Sequence, residues 1–327
     1  MRIALALAQV AVCAGLFFKR QPTEAPTAQV TGLPSCAELG LGATREQEGW
    51  LKGEFKTLVA FGDSLTDDGV DTSRGDTHGF MTCSNGPTWV KYFALSNDIK
   101  SVVNLAYSGA TSANYGVVTR KEWSGLLWQV GTYVRENKVH TQDALVSITI
   151  GGNDIFALSQ SLNKLTAWFF DSSVFCDGIA ANVRAAILTL DEQRHFRHFA
   201  VLAIPEVWDA PQFQKLGFGW LKDTIRNLVT DCNAKVGTMI ANIRDTNRST
   251  DINVVHIRAA LTHEKFTRAA KKRYPISNPS LKKALVKGRV SAGDEANHYY
   301  YYDRVHPTTG VHEILAKLFA CTLAQDL

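Results

Sequence analysis

Short apolar runs alternate with amphipathic stretches along most of the chain after residue 56. The runs are five to eight residues long, and most of them end at a glycine or a proline. Apolar runs of this length that stop at turn residues are typical of buried β-strands. The five predicted strands cover 57–61, 101–106, 143–150, 199–204 and 252–257.

Between these runs the apolar residues recur at a spacing of three to four, which predicts helices. Because short buried strands alternate with helices, we expect an α/β fold in which a parallel sheet is covered on both faces. No internal repeat and no linker rich in Pro, Gly or Ser follows residue 50, so 51–327 is predicted to form a single domain. The predicted helices cover 88–95, 126–137, 154–169, 179–193, 221–244 and 308–323.

The first 20 residues have the pattern of a secretory signal. Arg2 precedes a mostly apolar run over 3–18, and Lys19-Arg20 offers a dibasic processing site. We therefore expect 1–20 to be a signal peptide with a dibasic pro-segment, and 21–50 to be an extended segment; a buried first helix is the alternative. No other stretch looks long and apolar enough to cross a bilayer. The protein is expected to be secreted and extracellular, with no stable membrane anchor.

The charge balance excludes some classes of partner. Lys and Arg number 35 against 31 Asp and Glu, which gives a net charge of +4. Without the three basic residues of 1–20 the count falls to 32 against 31. Because positive and negative charges are nearly equal in number, the sequence gives no electrostatic basis for binding nucleic acid. The hydrophobic fraction of 45% is that of a folded globular chain.

The cysteines fit an oxidising compartment. If Cys13 leaves with the signal, five remain, and no CxxC pair suggests a zinc site. Five cysteines allow two bridges and one free thiol; we favour a Cys176–Cys232 bridge, because both residues lie in helical-looking stretches. One N-glycosylation sequon begins at Asn247. The five cysteines are Cys36, Cys83, Cys176, Cys232 and Cys321.

Polar residues and glycines follow three of the predicted strands, at the edge where parallel sheets bind ligands. Ser64 follows Gly62-Asp63 after the first strand, a position from which its hydroxyl can project from the turn. Gly109 follows the second strand, and a glycine lets backbone approach a ligand closely. Asn153 follows Gly151-Gly152 and offers a side-chain N–H donor. For each of these motifs alone, an ordinary tight turn is the competing interpretation.

A fourth candidate lies near the C-terminus, where Asp303 precedes His306 by three residues. A carboxylate at this spacing can bind the Nδ1 of the imidazole and leave Nε2 free as a base. Taken alone, such a pair is more often structural. The tyrosine run over 299–302 lies directly before it and either walls the site or packs as a strand-like segment.

Taken together and in this order, the four motifs resemble those of the GDSL family, also called SGNH hydrolases after Ser, Gly, Asn and His. Residues 62–65 read Gly-Asp-Ser-Leu, the first block verbatim. Residues 104–110 resemble the second block, 151–154 the third and 303–306 the fifth. Residues 84–89 also resemble a segment that is common in the larger members of the family. The resemblance covers about 55–320.

The resemblance implies a three-layer α/β/α sandwich, flavodoxin-like, with a mainly parallel sheet of about five strands, and it implies ester hydrolysis. Ser64 would be the nucleophile, His306 the base and then the acid, and Asp303 the residue that orients His306. The oxyanion hole would comprise the N–H groups of Ser64 and Gly109 and the side-chain amide of Asn153. No metal and no organic cofactor is implied, and Asp63 and Asp154 are expected to shape turns.

Within the family the chain looks most like fungal secreted acetylesterases that act on plant cell-wall oligosaccharides. The expected partner is thus a small-molecule or oligosaccharide ester, and the expected state a monomer. A lipase or phospholipase of the same family is the first alternative. An inactive secreted binding protein or effector on the same fold is the second.

Overall fold

The structure is a computed structural model. It describes residues 35–39, 41, 51–69, 83–116, 124–136, 143–162, 171–214, 219–246, 252–257 and 299–326. The expected signal peptide, most of the 21–50 segment and the sequon at Asn247 lie outside these residues.

Five parallel strands form one sheet in the order β2-β1-β3-β4-β5. The predicted α/β architecture with a five-stranded parallel sheet is confirmed. β2 pairs with one side of β1, and β3, β4 and β5 are added in turn on the other side. The carboxyl ends of β1 and β3 therefore lie next to each other near the middle of one sheet edge. The strands are β1 (Thr57–Gly62), β2 (Ser101–Asn104), β3 (Ala144–Thr149), β4 (His198–Leu202) and β5 (Asn253–Ile257).

Helices cover both faces of this sheet, and each overlaps a predicted helix apart from the four-residue α5. The helices are α1 (Trp89–Ser96), α2 (Leu126–Glu136), α3 (Gly152–Ser161), α4 (Ser172–Arg194), α5 (Pro211–Gln214), α6 (Gly219–Thr246) and α7 (Thr309–Asp326).

The alternation of side chains along the strands divides the core in two. In β1, Val59 and Phe61 point to the face covered by α2, α3, α4 and α6. Leu58 and Ala60 point to the face covered by α1 and α7. Because both faces are apolar, each strand reads as a continuous hydrophobic run rather than an alternating one. Helix, sheet and helix make the three layers.

Part of the 21–50 segment belongs to this core. Cys36 and Leu39 are buried in the cluster on the α1 and α7 face, and Cys36 forms a disulfide with Cys321 in α7. The bridge joins residues 285 positions apart. This segment is thereby tied to the helix that directly follows the His306 loop.

The second disulfide joins Cys176 in α4 to Cys232 in α6, so the bridge favoured from sequence is confirmed. Cys83 is also disulfide-bonded. The free thiol expected from five cysteines is therefore not found among the described ones. The expectation of one free thiol among these five cysteines was therefore wrong.

Helix α4 is long and apolar enough, by length and composition alone, to cross a membrane. The expectation that no stretch after the signal could span a bilayer was therefore wrong; Asp177, Arg184 and Asp191 divide the apolar residues of this helix along its length. Its buried residues, among them Ile179, Val183 and Ile187, lie in the core cluster together with residues of α2 and α6. A core helix of a soluble sheet protein passes the same test.

Candidate active site

Ser64 lies two residues beyond the end of β1, in a turn that a glycine makes possible. Gly62 has φ +155°, and a Cβ there would come within 2.4 Å of the carbonyl oxygen of Thr149 on β3. A side chain at this position would push the two central strands apart. Ser64 itself is 8% exposed and lines a pocket.

The Gly62 peptide is held by a buried glutamine of α2. The side-chain oxygen of Gln129 accepts from the N–H of Gly62 at 2.9 Å, and its Nε2 donates to the carbonyl of Gly62 at 2.8 Å. Nε2 also donates to the carbonyl of Ser124 at 2.7 Å. Gln129 therefore fixes the strand end from which Ser64 projects.

Three of the predicted side chains form one hydrogen-bonded row. Ser64 Oγ lies 2.8 Å from His306 Nε2, and His306 Nδ1 lies 2.7 Å from Asp303 Oδ2. The other carboxylate oxygen of Asp303 accepts from the backbone N–H groups of Val305 and His306, both at 2.8 Å. Both oxygens of Asp303 are thus occupied, which fixes the plane of the carboxylate and the rotation of the imidazole.

The tyrosine run holds the loop that carries His306. Tyr302 N–H donates to the carbonyl of His306 at 2.7 Å, and Thr308 N–H donates to the carbonyl of Tyr300 at 2.9 Å. Tyr301 pairs with Pro307 in an antiparallel bridge, and its side chain is buried. Of the two interpretations left open, packing as a strand-like segment describes Tyr301.

The charges in this row stabilise each other. Burial favours the neutral imidazole, but the charge of Asp303, its hydrogen bond and the charge of Asp63 together raise the pKa of His306 above its ordinary value. Burial likewise favours a neutral Asp303, but the charge of His306 and the hydrogen bonds donated to the carboxylate lower the pKa of Asp303. Asp303 is therefore ionised when His306 accepts a proton.

Gly109 lies in a loop held on one side by the buried carboxylate of Asp67 and on the other by the partly buried carboxylate of Asp154. Ser108 donates through its N–H and its hydroxyl to Asp67, at 2.8 and 2.7 Å. Ser112 donates in the same way to Asp154, with contacts of 2.8 to 3.2 Å. Between them Gly109 adopts a left-handed φ of +85°. Within the described part of the chain, the N–H groups of Gly109 and Ser64 make no hydrogen bond.

Asn153 lies in the first turn of α3 and is buried. Its Nδ2 donates to the carbonyl of Ala110 at 2.9 Å, next to Gly109. An amide nitrogen carries two hydrogens, so one supports the Gly109 loop and one remains for another acceptor. Asn153 also lines the pocket above Ser64.

The pocket that contains Ser64 and His306 is small and mostly apolar. Its volume is about 50 Å³. The polar residues that line it are Asp63, Ser64, Thr149, Asn153 and His306. Carbon atoms form most of the remaining wall, from Leu65, Ile150, Gly152, Phe156, Ala203, Pro205, Val207 and Val305.

The sequence profile of the GDSL-like lipase/acylhydrolase family matches residues 58–319. The chain belongs to this family. The match contains nearly all of β1, the turn of Ser64, the His306 loop and most of α7.

No curated protein sequence matches the chain. Among solved structures, it is similar to the phospholipase A1 of Streptomyces albidoflavus, with 17% identity over 84% of this chain and 100% of that one, and a TM-score of 0.45. The extracellular lipase of Streptomyces rimosus has 19% identity over 83% of this chain and 100% of that one, with a TM-score of 0.39. Est24, a carbohydrate acetylesterase of Sinorhizobium meliloti, has 12% identity over 83% and 97%, with a TM-score of 0.41.

Several residues that support this GDSL-family site were not singled out from the sequence. Gln129 is one, because a polar residue in an amphipathic helix is normally assigned to its solvent face. Asp67 is another; its position after Ser64 gave no sign that it would hold Ser108 of a distant loop. Asn104 is a third, since its amide donates to the carbonyl of Thr66 and links the first two motifs. Buried polar residues reveal such roles only once their partners are known.

No group of three or more His, Cys, Asp or Glu residues is placed to hold a metal ion within the described ranges.

Proposed function

We propose that the protein is a secreted serine esterase that hydrolyses short acyl esters, with acetyl esters of plant cell-wall oligosaccharides as its substrate class. The observation that carries the proposal is the row from Ser64 Oγ through His306 to Asp303, with contacts of 2.8 and 2.7 Å, beside a small apolar pocket.

In the first step, Ser64 Oγ attacks the carbonyl carbon of the ester while His306 Nε2 takes its proton. A serine hydroxyl is a weak nucleophile until a base removes that proton. Asp303 accepts the hydrogen bond from Nδ1–H, which keeps Nε2 available and stabilises the imidazolium.

The tetrahedral intermediate places negative charge on the former carbonyl oxygen. The N–H groups of Ser64 and Gly109 and the remaining N–H of Asn153 Nδ2 are the donors for this oxyanion. Asp67 and Asp154 fix the loop of Gly109 beforehand, so little reorganisation accompanies the reaction, and preorganised donors of this kind give large rate effects.

The intermediate collapses when His306 donates its proton to the leaving alcohol, which forms an acyl-Ser64 ester. Water then attacks the acyl carbon, gives its proton to His306 Nε2, and the second tetrahedral intermediate releases the acid and restores the Ser64 hydroxyl.

The small volume of the pocket beside Ser64 supports a short acyl group. One water-sized group needs about 10 to 15 Å³ of cavity, so a pocket of about 50 Å³ has room for about four. That is the size of an acetyl or propionyl group. The apolar wall that includes Phe156 and Val207 suits a methyl group better than a charged one.

The proposals about secretion and about the alcohol part of the substrate are supported by other features of the chain. Two disulfides among the described residues fit an oxidising compartment, and 1–20 would be removed as a signal with its dibasic site. The oligosaccharide substrate rests on the likeness to fungal secreted acetylesterases. We further propose that a single catalytic domain acts as a monomer.

A panel of nitrophenyl esters from acetate to palmitate, together with acetylated xylo-oligosaccharides and a phospholipid, tests the proposal. We expect the highest kcat/KM on acetate and a loss of about 10³-fold or more in Ser64→Ala, whose fold should be intact. Preference for long acyl chains or for the phospholipid would favour a lipase. Absence of Ser64-dependent hydrolysis on every substrate would favour a binding protein.

A further inference from the structure

Asp63, directly before Ser64, is a buried carboxylate that the row of Ser64, His306 and Asp303 does not include. Its side chain is 4% exposed and lines the same pocket as Ser64 and His306. One of its oxygens, Oδ1, accepts from the N–H of Leu65 at 3.1 Å. The other, Oδ2, faces α3, 3.5 Å from where a Cβ on Gly152 would lie, and accepts no hydrogen bond from another of the described residues.

A role in forming the turn explains the position of Oδ1 but not why this buried residue carries a charge. Asn or Ser at this position would accept the same bond from Leu65 N–H, and neither brings a charge into the core. A buried carboxylate is costly unless a positive group compensates it. The charged side chains that act on Asp63 are His306 and Asp154, and only His306 can be positive.

We propose that Asp63 is a second carboxylate for His306, which stabilises through space the imidazolium that forms when His306 takes the proton of Ser64. This inference rests on the proposed function. Asp63 would act through His306 and not on the substrate, so it is a positioning residue. It differs from Asp303 in making no hydrogen bond to the ring, and its effect is therefore purely one of charge.

The other ionisable groups near His306 leave this role to Asp63 and Asp303. His312 of α7 is buried, and burial together with the charge of His306 lowers the pKa of His312 to about 3, so His312 is neutral at working pH. Asp154 is engaged by Ser112, and its charge acts on Asp63 rather than on the imidazole. Among the charges acting on His306, both Asp303 and Asp63 raise its pKa.

The proposal makes the effect of Asp63 dependent on pH. Burial raises the pKa of Asp63 to about 7, against the lowering effects of the Leu65 N–H and of His306. Below that pH the carboxyl is largely neutral and resembles an amide. Above it, the negative charge is present and can stabilise the imidazolium. An Asp63→Asn variant should therefore match the wild type at low pH and fall behind as the pH rises.

The first experiment compares kcat/KM of wild type and Asp63→Asn from about pH 5 to about pH 9. We expect the ratio of the two to rise with pH through about 7 and to reach about tenfold, the equivalent of one pKa unit of differential interaction. A ratio that is constant across this range would mean that Asp63 has only a structural role, and would overturn the proposal. Asp143→Asn is the matched control, since Asp143 is exposed and pairs with Lys56 just before β3; its profile should follow that of the wild type.

A second experiment does not depend on turnover. NMR titration of the His306 imidazole in wild type and in Asp63→Asn should show a lower pKa in the variant, and an unchanged pKa would overturn the proposal even in an active esterase. If the protein shows no esterase activity at all, this titration still decides whether Asp63 acts on His306. A failure of the proposed function can therefore be told apart from a failure of the Asp63 proposal. Asp63→Ser, which keeps a short acceptor for Leu65 N–H, replaces Asp63→Asn in both experiments if the amide variant does not fold.

Discussion

The side-chain amide of Gln129 binds both polar groups of a single residue, Gly62. Its Oε1 accepts from the Gly62 N–H, and its Nε2 donates to the Gly62 carbonyl. The same carbonyl also accepts from Tyr107 N–H of the next motif at 3.0 Å. Helix α2 thus fixes the strand end from which Ser64 projects, from within the core.

We expect Gln129→Leu to be destabilising, because it leaves the Gly62 N–H and the Ser124 carbonyl without their partner. Each unsatisfied buried group costs about 1 to 3 kcal/mol, so with two such groups the free energy of unfolding should fall by about 2 to 6 kcal/mol. Urea unfolding measures this, and kcat of the remaining folded enzyme should fall as well. Gln129→Glu keeps an acceptor for Gly62 N–H but puts a charge in the core. A Gln129→Leu protein as stable as the wild type would contradict the expectation.

Asn153→Ala should lower kcat by about 10²- to 10³-fold with a small change in KM, because the oxyanion donor is needed chiefly in the transition state. Asn153→Asp should be at least as harmful, since it offers a carboxylate where a donor is needed. Both variants also lose the bond to the Ala110 carbonyl, so their melting temperature should fall.

Asn182→Ala is the control that separates the two effects of Asn153. The amide of Asn182 donates to Ser112 Oγ at 3.0 Å and so supports the same loop from α4. Its loss should affect stability more than kcat. If Asn153→Asp retains near wild-type kcat despite a lower melting temperature, Asn153 is a structural residue and not an oxyanion donor.

Activity should rise with pH as His306 loses its proton, because only the neutral imidazole can accept the proton of Ser64. The raised pKa of His306 places the half-maximal point of kcat/KM above the ordinary value of about 6.5. Asp303→Asn removes the charge and the hydrogen bond, so this point should move to lower pH while kcat falls by about 10³- to 10⁴-fold. A rate that is flat from about pH 5 to about pH 8 would rule out His306 as the base.

The buried Asp63 should make the wild type less stable as the pH rises. Its pKa is about 7 in the folded protein against 3.8 ordinarily, so the folded state binds this proton more tightly, and the stabilisation is present at low pH and is lost as the pH rises to about 7. Asp63→Asn lacks this titration. Its free energy of unfolding relative to the wild type should therefore increase by about 4 kcal/mol between about pH 4 and about pH 8, at 1.36 kcal/mol per pKa unit.

Urea unfolding of both proteins at the two pH values tests this, because ionisations that the substitution leaves unchanged cancel in the difference. The ionisation of His306 does not cancel, since its pKa should be lower in the variant, and the NMR titration supplies that contribution. A difference that does not change with pH would show that Asp63 ionises normally in the folded state.

Short-range patterns predicted the sheet and the positions of the four motifs. Each strand reads as an apolar run because both faces are covered, and the motifs follow the runs, so sequence alone placed Ser64 and Asn153 at one edge of the sheet. That they meet His306 follows from the return of the chain to this edge just before α7.

Features that depend on distant partners were not predictable in this way. Strand β2 ends at Asn104 rather than at 106, and the Asn104 side chain accepts a hydrogen bond from Ala106 N–H just beyond that end. Helix α4 begins at Ser172, seven residues before the predicted start, because Asp171 caps it. The apolar spacing that defined the predicted helix is weaker in that first turn.

The Cys36–Cys321 bridge sets an order of events in biosynthesis. A ribosome needs about 15 to 60 s for the 285 residues between the two cysteines at about 5 to 20 residues per second. During that time Cys83, Cys176 and Cys232 are synthesised ahead of Cys321, and in the oxidising compartment that the proposed secretion would provide, each can form a bridge with the Cys36 thiol. The native bridge therefore forms last or by exchange, which takes seconds to hours without help. Recombinant yield should accordingly depend more on disulfide isomerase than on the oxidant supplied.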